Sequence, residues 1–95
     1  MNHPAIQRTV LDIVAARGGI TLVGNRESYA FIRRVGSSWI RTDGDSMTGV
    51  EEQRQVSDEH VLTAVFWLAR DRLGHYGPDD GAVTWDDGCA WLRDN

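Results

Sequence analysis

Ninety-five residues with 41% hydrophobic side chains, four Trp and 25% charged residues suffice for one modest core and exclude a disordered chain. A single cysteine excludes an internal disulfide framework, and the longest apolar run, AVFWLA, is far shorter than the ~20 residues of a membrane span. All ten basic residues are arginine, and the net charge of −4 is split unevenly, +4 over residues 1–42 and −8 over 43–95. The opening MNHPAIQRTV lacks the apolar run of a secretory signal. These features predict one cytoplasmic domain spanning 1–95.

The first predicted element is a helix over 4–17. Asn2 or His3 can cap it, Pro4 suits the first helical position, and Gly18-Gly19 stops it. Ile6, Val10, Ile13 and Val14 recur at helical spacing and form its apolar stripe.

Short β-type segments follow: ITLV (20–23), YAFIRRV (29–35) and WIRT (39–42), separated by GNRES, GSS and DGDS. Gly24-Asn25 and Asp43-Gly44 are residue types that tolerate the positive φ of tight hairpins. In the second strand, Phe31, Val35 and Tyr29 are expected to point into the core, with Ala30, Ile32 and Arg34 opposite. A structureless link from 43 to 57 would be long for a compact domain, so a short fourth strand is expected near 47–52.

SDEHVLTAVFWLARDRLGHYG carries the strongest helix signal. Ser57 caps it, Asp58 and Glu59 suit its positive N-terminal end, and Gly74 stops it. Val61, Leu62, Val65, Phe66, Leu68, Ala69 and Leu73 make an arc so wide that this helix should pack on more than one side. After the turn GPDDG, Thr84 and Asp87 resemble a capping box opening a last helix over 85–93. The fold class is therefore α+β. A helix, an antiparallel meander of three or four strands, a long central helix and a short C-terminal helix follow in order, with the helices on one sheet face.

No motif carries a reaction. An EF-hand begun at Asp43 meets Met47, Thr48 and Arg54 where a ligand, glycine and glutamate belong. One cysteine and His3, His60 and His75 supply no zinc set. Cys89 could meet a histidine in space, but between Gly88 and Ala90 it reads as a small buried hydrophobe. No catalysis, metal or cofactor is expected.

Two binding readings follow. The first is a small protein-binding protein, of the class that holds inhibitors, immunity proteins and phage or mobile-element accessory factors. Its acidic C-terminal surface (Asp79, Asp80, Trp85, Asp86, Asp87, Trp91) would steer a basic protein partner. Self-association is its simplest version, since halves of opposite charge can pair across a two-fold axis. The same aspartates also serve as turn and cap residues. The second reading is a single-stranded nucleic-acid binder using Arg33, Arg34, Trp39 and Arg41 on the sheet. The negative net charge has the wrong sign for it.

Overall fold

The computed structural model describes residues 5–72 and 85–94. In chain order they form α1 (Ala5–Ala16), β1 (Gly19–Gly24), β2 (Ser28–Val35), β3 (Ser38–Asp45), β4 (Glu51–Val56), α2 (Asp58–Arg72) and α3 (Trp85–Asp94). The strands make one antiparallel sheet in the order β1-β2-β3-β4, so the α+β meander expected from the sequence is the fold. The expected stop at Gly74 and the GPDDG turn lie outside the described residues.

Both long helices follow their sequence signals. Val10, Leu11 and Val14 of α1 are buried at helical spacing. Ser57 caps α2 by accepting the His60 amide at 3.2 Å, with Asp58 and Glu59 in the first turn. The α2 helix packs against both α1 and α3, which is why Val61, Leu62, Val65 and Ala69 are all buried. Val61, Leu62 and Val65, with Val10, Leu11 and Val14 of α1 and Cys89 and Leu92 of α3, close one core against Ile32 and Trp39 of the sheet. No helix among the described residues is long and apolar enough to cross a membrane.

The strands depart from expectation in three ways. First, β2 faces the other way round: Ala30 and Ile32 are buried under the helices, and Tyr29, Phe31, Arg33 and Val35 take the opposite face. Cross-strand partners share a face. Pairing Arg34 with Trp39 and Ile32 with Arg41 therefore brings Trp39 into the core with Ile32. Burying the indole and the branched aliphatic together fixes the parity, and every other side chain of the strand follows.

Second, the fourth strand begins at Glu51, four residues after the expected start. The Asp45 carboxylate accepts the Met47 and Thr48 amides at 2.8 and 3.2 Å, and Gly49 adopts φ +75°. The turn thus consumes 46–50. Third, positive φ falls at Gly18, Gly19, Gly36 and Gly49, not at Gly24-Asn25 or Asp43-Gly44. Asn25 still shapes its turn, its Oδ1 accepting the Glu27 and Ser28 amides at 2.8 and 2.9 Å. Gly44 sits inside β3 for another reason: the Tyr29 ring occupies the space a β-carbon would need.

Candidate functional site: the open sheet face and the groove beneath the second helix

Among the described residues, no element packs on the sheet face opposite the helices. The strand register lays it out as a grid. Its central row runs Thr21, Phe31, Thr42, Gln53, flanked by Arg33, Ile40, Gln55 on one side and Tyr29, Gly44, Glu51 on the other. Tyr29 and Phe31 stack with centroids 6.3 Å apart and planes 16° apart. The Arg33 guanidinium lies 5.8 Å from the Phe31 ring centre, within cation–π range. Tyr29 crosses Gly44 and donates its hydroxyl to Glu51 at 2.9 Å; that bond is the main reason its pKa is raised.

These aromatics are half-buried rather than sealed, and Val35 at the edge is 52% exposed. Thr42 beneath them is fully buried, and its hydroxyl meets no partner among the described residues. The face is thus an apolar centre between an arginine corner and a glutamate corner, with glutamines along β4.

The helix side holds a second feature. Arg41 grips Asp43 two-handed, Nε to Oδ2 at 3.0 Å and Nη2 to Oδ1 at 3.1 Å. Its Nη1 lies 2.9 Å from His60 Nε2. A guanidinium only donates, so Nε2 accepts and the proton of neutral His60 sits on Nδ1. Arg41 and His60 line a groove of about 400 Å³ together with Leu22, Ala64, Trp67 and Leu68, with Asp71 also on its wall. Trp67 is 56% exposed there and carries Arg70 5.0 Å from its ring centre.

His60 has a lowered pKa, first because burial penalises its charged form, then because Arg41 and Arg54 repel it; Asp43 opposes them. The unfolded chain therefore binds that proton more tightly than the fold does. The His60 contribution to stability is complete above the unfolded pKa of ~6.5 and is lost as pH falls below it. Two outcomes are expected. The His60 ring should titrate by NMR with a midpoint below ~6.5. His60→Gln should also flatten the fall of Tm between about pH 7 and 5. A His60 midpoint above ~6.5 would contradict the Arg41 contact.

The sequence-predicted nucleic-acid residues are divided between the two sheet faces. Of the nucleic-acid set, only Arg33 reaches the open face. Arg34 lies on the helix side with its guanidinium 4.5 Å from the Trp39 ring centre, Trp39 is 2% exposed, and Arg41 is held by Asp43 and His60. Trp39 is therefore covered and cannot stack a base. Of the acidic set, Asp79 and Asp80 lie outside the described residues. Trp85, Asp86 and Asp87 form the start of α3, and Trp91 is half-buried against the helical core. Cys89 is buried in that core while His60 lines the groove.

Sequence reasoning passed over Ile40, Thr42 and Gln53, and weighed His60 only as a zinc ligand or a partner for Cys89, not as a partner of Arg41. The open-face members become visible only once strand parity is known. His60 could have been suspected from its place in the first turn of a helix beginning two residues after a strand. No family model, no curated protein and no solved structure matches this chain.

Proposed function

We propose that the chain is a small cytoplasmic protein-binding protein without catalytic activity, and that the open sheet face is its recognition surface. One observation carries this: a half-buried Tyr29–Phe31–Ile40 centre sits between Arg33 and Glu51 with no described element covering it. Tyr and Arg dominate binding hot spots, and an apolar centre with charged corners is the usual anatomy of an interface. The partner has complementary chemistry, an apolar side chain for the Phe31–Ile40 centre and an acidic group within reach of Arg33. The acidic aspartates of the C-terminal segment serve as a second, steering surface in this reading.

The stacked Tyr29–Phe31 pair with Arg33 beside it also supports a second reading, single-stranded nucleic acid laid along the same face. One arginine amid Glu51 and glutamines gives phosphates little to hold, so the protein reading stands first.

The test is affinity capture from the native host with four baits: wild type, Phe31→Ser, Arg33→Glu, and a variant with Asp79, Asp80, Asp86 and Asp87 changed to Asn. A stoichiometric protein retained by wild type and lost from both open-face variants is the expected result. Loss only from the Asn variant would move the surface to the C-terminal segment. Recovery of nucleic acid released steeply by salt would replace the protein reading with the second one.

A further inference from the structure

The two edges of the sheet differ. The β1–β2 ladder is broken by a bulge between Thr21 and Val23, which twists that edge. The β3–β4 ladder is unbroken, and β4 is exposed from Glu51 to Gln55. An exposed, regular edge is a template for another strand. Its charges are also badly placed within the monomer: Arg54 stands directly opposite Arg41, and Glu52 directly opposite Asp43. Like charges opposed across a ladder repel.

The direction of the free backbone groups is fixed by one bond. The Asp45 amide donates to the Val50 carbonyl at 2.8 Å, so Val50 turns its carbonyl towards β3. By alternation Glu52 and Arg54 turn theirs inward too, and Glu51, Gln53 and Gln55 present theirs outward.

We infer that β4 pairs antiparallel with β4 of a second copy, centred on Gln53, joining two sheets into one across a two-fold axis. Residues facing each other in an antiparallel ladder share one hydrogen-bonding sense, so a strand meets its own copy only with residues of equal parity opposed. Three registers keep most of the strand paired. Centring on Glu52 opposes two glutamates and sets Val50 against the partner's Arg54. Centring on Arg54 opposes two arginines.

Centring on Gln53 sets Glu52 against the partner's Arg54, Val50 against the partner's Val56, Glu51 against the partner's Gln55, and Gln53 against itself. The outward groups of Glu51, Gln53 and Gln55 then form about six ladder hydrogen bonds. Glu52 and Arg54 fall at the non-hydrogen-bonded positions, where side chains approach most closely. Each badly opposed charge gains an opposite one, and Val50, 60% exposed in the monomer, gains an apolar neighbour. Charged edges guard against promiscuous pairing; this pattern guards against every full register but one. The inference does not depend on the open-face proposal, although the dimer would join two open faces side by side.

Sedimentation equilibrium tests it. Wild type is expected to be a dimer at tens of micromolar, while Glu52→Arg and Arg54→Glu each weaken the dimer about tenfold or more by opposing like charges. Mixing these two variants should restore a heterodimer, because every facing pair again has opposite signs. The double swap Glu52→Arg with Arg54→Glu should restore the homodimer for the same reason. Gln53→Pro should give a folded monomer, since the amide it removes points away from β3. A wild type that stays monomeric at about a hundred micromolar, single variants that dimerise like wild type, or a mixture that does not recover the dimer would each overturn the pairing.

Discussion

Replacing Trp39 by alanine is expected to cost about 3–5 kcal/mol of folding stability. A chain this long has only about 5–14 kcal/mol in total, so the variant sits close to unfolding. Four contacts meet at that indole. It packs in the core cluster at 2% exposure and faces Val56 across the ladder. Arg34 covers it from outside at 4.5 Å, and its Nε1 donates to Asp58 Oδ1 at 2.8 Å. The last bond ties β3 to the first turn of α2, so truncation both empties a core site and uncouples the helix from the sheet. Trp39→Phe separates the two effects. It keeps most of the apolar body and loses the bond to a carboxylate, for about 1.5–3 kcal/mol. Urea unfolding followed by far-UV circular dichroism measures both. An alanine cost below about 1 kcal/mol would mean that the indole does not fill the core.

The elements of this fold are legible in the sequence because their signals are local. Val10 and Val14 recur at helical spacing, Ser57 precedes two acids, and Gly24-Asn25 marks a turn even though its φ angles stay negative. Strand parity is not local. YAFIRRV is apolar on both alternations, Tyr29, Phe31 and Val35 on one, Ala30 and Ile32 on the other. The larger set is the natural choice for the core, yet it lies outside. What decides is elsewhere in the chain: Trp39 must share a face with Arg34 and Ile32, and Gly44 leaves a bed for the Tyr29 ring on the far side.

Arginine is part of the reason that the unexpected parity is tolerated. Arg34 and Arg41 stand on the helix side, yet Arg34 lies along the indole and Arg41 reaches Asp43 and His60. Asp43, two positions along the same strand, shares the Arg41 face, but His60 cannot be read from spacing, because it lies nineteen positions from Arg41. The fourth strand carries a weak sequence signal for the opposite reason. EEQRQV has no apolar alternation, since both its faces are solvated, and its start is set by the Asp45 turn rather than by any property of the strand itself. Its charge pattern becomes meaningful only when its neighbours are known to be Arg41 and Asp43.

Gly19→Ala is expected to be the costliest glycine substitution on the sheet, at about 2–4 kcal/mol, from positive-φ strain of about 1–3 kcal/mol and roughly one lost ladder bond. Gly19 has φ +149°, and a β-carbon there would collide with the Ile32 carbonyl oxygen, a backbone atom that cannot swing aside. Gly18 next to it also has positive φ but faces open space, so Gly18→Ala should cost only about 1 kcal/mol. At Gly44 the obstacle is the far end of the Tyr29 side chain; alanine there should displace the ring and break its bond to Glu51 while leaving the backbone in place. The three substitutions therefore differ in which atom must yield, and denaturant unfolding should rank Gly19 well above Gly18. Hydrogen exchange locates the damage. Gly19 pairs with Arg33 and leads β1 onto β2, with the Arg34 amide bonded to the Gly18 carbonyl at 2.9 Å. In the Gly19 variant the amides of β1 should exchange faster while those shared by β3 and β4 keep their protection. Equal acceleration across all four strands would show instead that β1 cannot part from the sheet without unfolding the whole domain.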